Sequence, residues 1–218
     1  MKKPPSIDIL MQYQEKPVFE DDDALVRAIQ AVFPDADHEE LLSNLADVKK
    51  WTDAEAERQR RNTKLPHEEL SALSDDDLDE AVWNRTDEKV EQAETDLAGV
   101  AALPHAARVF YVVHWYVFEV YDGGLCQYFV NPSRKLAPML SDCLKEIGAL
   151  DHKTLFDGFM RENEIDVNDL SSFVSNSVEE YLSQTKRYPF EAFDAAFGEL
   201  PALGTYLVPY VRANISAF

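Results

Sequence analysis

The strongest hydrophobic signal in the chain is a nearly uninterrupted apolar run, ARVFYVVHWYVFEVY, in the middle of the sequence. Residues 109–118 of this run are apolar on every face of a helix, and a helix of that kind is buried in the centre of a bundle. A buried strand would also be apolar, but the length of the run and the helical patterns on both sides favour a helix. The pattern therefore predicts a buried central helix over residues 109–120.

Helix start and stop signals surround this run. DADHEELLSNLADVKKW offers Asp37 as N-cap with a glutamate three residues later, which is the spacing of a capping box. APMLSDCLKEIGAL ends in Gly148, which suits a helix C-cap, and DVNDLSSFVSNSVEEYLSQTKRYP carries a helical pattern up to the stop at Pro189. We predict an all-α fold: a single multi-helix domain over residues 66–218, preceded by an N-terminal helical extension, residues 1–65, whose start is partly disordered.

The net charge of the chain limits the classes of function that it can have. The chain has 41 acidic and 21 basic residues and a formal net charge of -20, which repels nucleic acid and anionic membranes and favours basic partners. MKKPPSIDILMQYQ lacks the apolar run of an export signal, and no uncharged run approaches the length of a membrane span. We expect a cytoplasmic protein that binds neither nucleic acid nor a membrane, with Cys126 and Cys143 reduced and buried.

The acids are concentrated in residues 66–96, where twelve acidic residues accompany two basic ones. Ser74 followed by three aspartates is a favourable helix start, which accounts for part of this charge. If one helix continued over residues 75–97, its apolar side chains from Leu78 to Leu97 would lie on one side and an acidic stripe about 27 Å long on the other. The stripe would bind a basic partner, and the alternative is a solvated face that only keeps the protein soluble. Its members are Asp76, Glu80, Asp87, Glu91 and Glu94.

Residues 119–133, EVYDGGLCQYFVNPS, hold the other candidate chemistry. We interpret them as a corner between two helices, in which Gly123 or Gly124 takes the left-handed conformation that ends the central helix. Glu119 would accept hydrogen bonds from the N–H groups at the next helix start. Gln127 and Asn131, four residues apart, share a face and could tie the corner to its neighbours.

Catalytic templates fit these residues poorly. The five histidines lack metal-ligand spacing, no carboxylate loop has the glycine of a calcium site, and the Gly-Gly stretch lacks the phosphate-loop pattern, so we expect no metal and no cofactor. Two enzymatic alternatives stay open. One is a nucleophilic site of Cys126, a histidine and Asp122, and the other is a pocket lined by polar residues of the corner.

Several segments resemble, in order, a bacterial DNA-mimic protein family whose signature is Glu-Val-Asn-Asn-Gly-Gly-Phe-x-Gln-Tyr/Phe-Phe-x-Asn. These segments are LSDDDLDEAVWNR, LPHAARVFYVVHWYVFEVYDGGLCQYFVNPS, LKEIGAL, FEAFDAAFGEL and YVRANISAF, and they extend over about residues 66–218. Tyr121 and Asp122 replace the paired asparagines, Leu125 replaces the aromatic residue, and Arg134 replaces a glycine. The matching positions are Glu119, Val120, Gly123, Gly124, Gln127, Tyr128, Phe129 and Asn131.

The resemblance implies an all-α fold, a tendency to dimerise, and an acidic surface that imitates DNA and occupies the DNA-binding face of a helix-turn-helix regulator. The expected function is that of a non-enzymatic protein that sequesters a basic DNA-binding protein such as a transcription factor. Two alternatives remain: an immunity-type inhibitor of a basic toxin or nuclease, and a small enzyme that uses the corner of residues 119–131.

Overall fold

The computed structural model describes residues 21–218, and these residues form helices and turns, which confirms the predicted all-α fold. The chain divides into two compact units between Arg61 and Asn62. The predicted disorder at the start of the extension falls in residues 1–20, outside the described residues.

The first unit contains α1 (Asp22–Val32) and most of α2 (His38–Asn62). Asp37 accepts a hydrogen bond through Oδ1 from the backbone N–H of Glu40 at 2.8 Å, so the predicted N-cap of α2 is confirmed. The apolar face of α1 and the start of α2 bury a small core of their own. Its buried members are Leu25, Val26, Ile29, Ala36, Leu41 and Leu45.

The second unit is a helical bundle. Its elements in chain order are α3 (His67–Ala72), α4 (Asp75–Glu91), α5 (Asp96–Ala102), α6 (His105–Val130), a 3₁₀ helix (Pro132–Leu136), α7 (Ala137–Glu146), α8 (Leu150–Glu162), a 3₁₀ turn (Ser171–Phe173), α9 (Val178–Gln184), α10 (Phe190–Gly198), α11 (Gly204–Ala213) and a terminal 3₁₀ turn (Ile215–Ala217).

Helix α6 is the centre of this bundle, as the apolar run predicts. It contacts α4, α7, α10, α11 and the 3₁₀ helix of residues 132–136. Several of its rings pack edge to face with rings of other helices, for example Tyr116 against Phe197 of α10 at 5.8 Å between ring centroids. The expectation of burial on every face is wrong on one side of the run: Phe118 is 54% exposed, and His114, Trp115 and Val117 are only partly buried.

The helix predicted over residues 166–188, before Pro189, is wrong over much of its length, because only the 3₁₀ turn and α9 form in this segment. Short polar side chains hydrogen-bond nearby backbone groups instead: Asp166 accepts from the N–H of Asn168, and Asp169 accepts from the N–H of Ser171. Such local bonds compete with a helix. At the end of α7, Gly148 has a φ of +82°, as a C-cap requires.

Within residues 21–218, no helix is both long enough and apolar enough to cross a membrane.

Candidate functional site

The acidic segment does not form the single helix predicted over residues 75–97. Helix α4 ends at Glu91, and Thr95 starts α5 by accepting a hydrogen bond through Oγ1 from the N–H of Ala98 at 3.3 Å. From Asp76 to Glu91 the acids of α4 extend over about 22 Å, and Glu94 lies in the turn that follows. The change of direction also leaves Leu97, predicted on the buried side, 44% exposed.

Two members of the predicted stripe are partly buried and hold structural hydrogen bonds. Glu80 accepts one from Asn62 Nδ2 at 3.2 Å, and Asp87 accepts one from Tyr111 Oη at 3.3 Å. Burial, followed by the negative charge of Glu91, raises the pKa of Asp87. Asp76, Glu91 and Glu94 are exposed as predicted.

The exposed acidic surface is broader than the predicted stripe. It extends from α3 to the start of α5 and includes an ion pair between Asp75 and Arg212. Lys89 is an exposed cation on the same segment. We call this set the acidic surface, and its nine exposed carboxylates are Glu68, Glu69, Asp75, Asp76, Asp77, Glu88, Glu91, Glu94 and Asp96.

Beneath this surface, Asp79 is a carboxyl group that sequence reasoning did not single out. Burial, and then the negative charge of Asp76, raises its pKa to about 6. Its Oδ2 is 3.6 Å from Nδ1 of His114, whose ring stacks on Trp83 at 4.4 Å. Burial lowers the pKa of His114 to about 4, so this partly buried histidine is neutral at pH 7.

The Gly-Gly stretch is a kink between two helical halves of α6. Gly124 has a φ of +79° and a ψ of 177°, so it supplies a positive φ that suits glycine, but it does not take the left-handed helical conformation predicted for a C-cap. The N–H of Leu125, which begins the second half, donates to Asp194 Oδ1 on α10 at 2.9 Å. The prediction that Glu119 receives these helix-start N–H groups is therefore wrong, because Asp194 occupies that position.

Glu119 instead joins the side chains of the corner. It is 2% exposed. Its Oε2 accepts from Gln127 Nε2 at 2.9 Å and from Asn131 Nδ2 at 2.7 Å, and its Oε1 accepts from Ser133 Oγ at 2.6 Å. The predicted shared face of Gln127 and Asn131 is confirmed. Both oxygens of a buried carboxylate are thus engaged by donors from the second half of α6 and the 3₁₀ helix, which fixes the angle of the kink.

The nucleophile alternative has little chemical support in this geometry. Cys126 is 3% exposed, and burial, followed by the charge of Asp194, raises its pKa to about 11. A reactive cysteine needs the opposite shift. Asp122 accepts a hydrogen bond from Gln127 Nε2 at 2.7 Å. Among the described residues, no cluster of three or more histidines, cysteines or carboxylates could hold a metal ion.

An open groove of about 410 Å³ lies on the outer side of the corner, between α5, the first half of α6 and the 3₁₀ helix. We call it the aromatic groove. Glu119, Asn131 and Ser133 of the corner line it, and most of its other lining residues are apolar or aromatic. The wall residues used below are Asp96, Leu97, Tyr111, Trp115, Phe118 and Lys135.

The fold and corner define the class of protein: an all-α bundle built around a kinked, buried helix, with a strongly acidic segment before it. The model of the DMP19-like protein family matches residues 101–214, just over half of the 218 residues. The chain belongs to this DNA-mimic-like family. No curated protein and no solved structure matches the chain.

Proposed function

We propose that this protein is a non-enzymatic binding protein that sequesters a basic DNA-binding protein by presenting carboxylates where DNA presents phosphates. The observation that carries the proposal is the acidic surface, with nine exposed carboxylates between Glu68 and Asp96. Membership of a DNA-mimic-like family supports the same class of function.

The physical reason is electrostatic. Like charges at helical neighbour spacing repel one another, so an acidic surface is mildly unfavourable until a partner supplies cations. A DNA-binding face already carries lysines and arginines placed for phosphates. Neutralisation of these side chains by carboxylates would give binding that weakens steeply as salt rises. Among basic DNA-binding proteins, a helix-turn-helix transcription factor is the partner that the resemblance to DNA mimics suggests.

The test is capture of partners from a native lysate at low and high salt, followed by competition of each captured protein with double-stranded DNA. We expect a basic DNA-binding protein that is released by DNA and by salt. A captured partner that binds this protein and DNA at the same time would overturn the proposal, because mimicry requires mutually exclusive occupancy.

A surface variant and a matched control sharpen this test. The surface variant carries Asp76→Asn, Glu88→Gln, Glu91→Gln and Glu94→Gln, which removes four exposed charges and spares the hydrogen-bonded Glu80 and Asp87. It should bind at least about tenfold more weakly at low salt. The control removes four exposed charges elsewhere and should bind like the wild type; it carries Glu162→Gln, Glu179→Gln, Glu191→Gln and Glu199→Gln.

A further inference from the structure

Large apolar side chains are exposed beside the acidic surface. Phe118 is 54% exposed and Leu97 is 44% exposed, and both line the aromatic groove with the partly buried Trp115. The rings of Trp115 and Phe118 meet edge to face at 5.8 Å between centroids. Exposed apolar residues that cluster in a concave site mark an interaction surface, whereas single exposed ones need no explanation.

The acids continue to the edge of this groove. Asp96 is one of its wall residues, and Tyr111, another wall residue, donates its hydroxyl hydrogen bond to Asp87. The negative charges of Glu91 and Asp96 lie near Asp87, and both raise the pKa of Asp87. Of the residues that line the groove, Asp96 and Glu119 are acidic and Lys135 is basic, so the lining is negative on balance. The other cation of the 3₁₀ helix, Arg134, donates to the backbone carbonyls of Val130 and Asn131.

We propose that the aromatic groove is the apolar anchor point for an amphipathic basic helix of the partner, whose bulky apolar side chain enters the groove while its lysines and arginines meet the acidic surface. This inference rests on the proposed function and names the kind of segment that the partner presents. The combination of an apolar groove and an acidic edge selects a helix with apolar residues on one face and cations beside them. A segment with cations alone would leave Leu97, Trp115 and Phe118 in water.

The assay uses the full chain and two labelled synthetic peptides. One is a helical peptide with leucines on one face and lysines elsewhere, and the other has the same length and charge with serine at each leucine. Fluorescence anisotropy gives the dissociation constant of each. We expect the leucine peptide to bind roughly thirtyfold more tightly, because a buried apolar anchor dominates the affinity of such an interface.

The groove variant Leu97→Ser/Phe118→Ser should remove this preference and leave the affinity for the serine peptide unchanged. The matched control, Tyr121→Ser/Leu150→Ser, replaces two large hydrophobic residues outside the groove that are somewhat more exposed, and it should keep the preference. Circular dichroism checks that both variants are folded. A preference that persists in the groove variant, or equal binding of the two peptides to the wild type, would overturn the inference.

Photo-crosslinking gives a readout that needs no variant. A photoreactive residue at the central leucine position should crosslink the wild-type protein at Leu97, Trp115 or Phe118, and crosslinks confined to other surfaces would contradict the inference.

The surface variant separates the two proposals. If the groove holds the leucine peptide but the surface variant binds both peptides like the wild type, the charge contact on which the proposed function rests fails, and only the apolar anchor in the groove stands.

Discussion

The most direct test of the corner is the removal of the Glu119 carboxylate. Glu119→Ala would leave three side-chain donors without their acceptor. Gln127 keeps its bond to Asp122 and Asn131 is partly open to water, but the hydroxyl of Ser133 is buried. The buried hydroxyl of Ser133 costs about 1–3 kcal/mol when it loses its partner, and the lost bonds to the partly exposed amides of Gln127 and Asn131 add about 1 kcal/mol each. Release of the buried charge offsets part of this sum, so we expect a loss of about 3 kcal/mol.

Glu119→Gln should cost less, about 1 kcal/mol, because the amide can reproduce all three bonds without the charge. Its oxygen can accept from Gln127 and Asn131, and its NH₂ group can donate to the oxygen of Ser133. The order of stability is therefore wild type, then Glu119→Gln, then Glu119→Ala.

Urea unfolding followed by far-ultraviolet circular dichroism and by tryptophan fluorescence measures these differences, with two probes because the chain has two compact units. Thermal melts should show a fall of about 6–12 °C for Glu119→Ala. Glu162→Ala is the control, since its side chain is 73% exposed and should matter little. If Glu119→Ala unfolds within about 1 kcal/mol of the wild type, the carboxylate does not hold the kink, and a role in ligand binding, where residues often cost stability, becomes the better explanation.

Three further predictions follow from the same geometry. Gly124→Ala should lower the thermal midpoint more than Gly148→Ala does. Both positions have a positive φ, but only at Gly124 would an added Cβ crowd another side chain, at 2.8 Å from Cγ of Asp194. Equal losses for the two variants would contradict this close packing. Gly124→Val should be worse still, since a β-branched residue tolerates positive φ poorly, and a melt like the wild type would refute the corner. The pKa of Asp79 is raised to about 6 in the folded protein, so the folded state keeps a proton on this carboxyl group that the unfolded chain loses near pH 4. The stability that this group contributes is therefore lost as the pH rises through about 6. Asp79→Asn should therefore raise the unfolding midpoint near pH 7 and change it little near pH 4, and an equal shift at both pH values would be the wrong result.

The sequence predicts best what is local or strongly apolar. The central helix follows from an apolar run, the kink from Gly124, and the common face of Gln127 and Asn131 from their spacing of four residues. These features need only helical geometry and side-chain volume, which are set by the residues themselves.

Features that depend on contacts between residues far apart in the sequence cannot be predicted from local patterns. Asp194 lies 69 residues after Leu125, so nothing near the corner indicates that it receives the N–H of the second helical half. The partial burial of Asp87 likewise depends on Tyr111, which lies 24 residues further along the chain. The break before Thr95 has a local signal, a threonine N-cap followed by an aspartate, but strong helical periodicity on both sides conceals it.

Family membership and proposed function rest on different residues of this chain. The matched segment begins at Ala101 and includes the kink with its buried Glu119, whereas the acidic surface ends at Asp96. The match therefore reports a bundle and its corner, and the charge that would bind a partner has to be read from this chain alone. If that division is correct, the two sets of variants should separate cleanly. Changes at the corner should lower stability while the folded fraction still binds, and changes on the acidic surface should lower binding while the unfolding midpoint stays near that of the wild type.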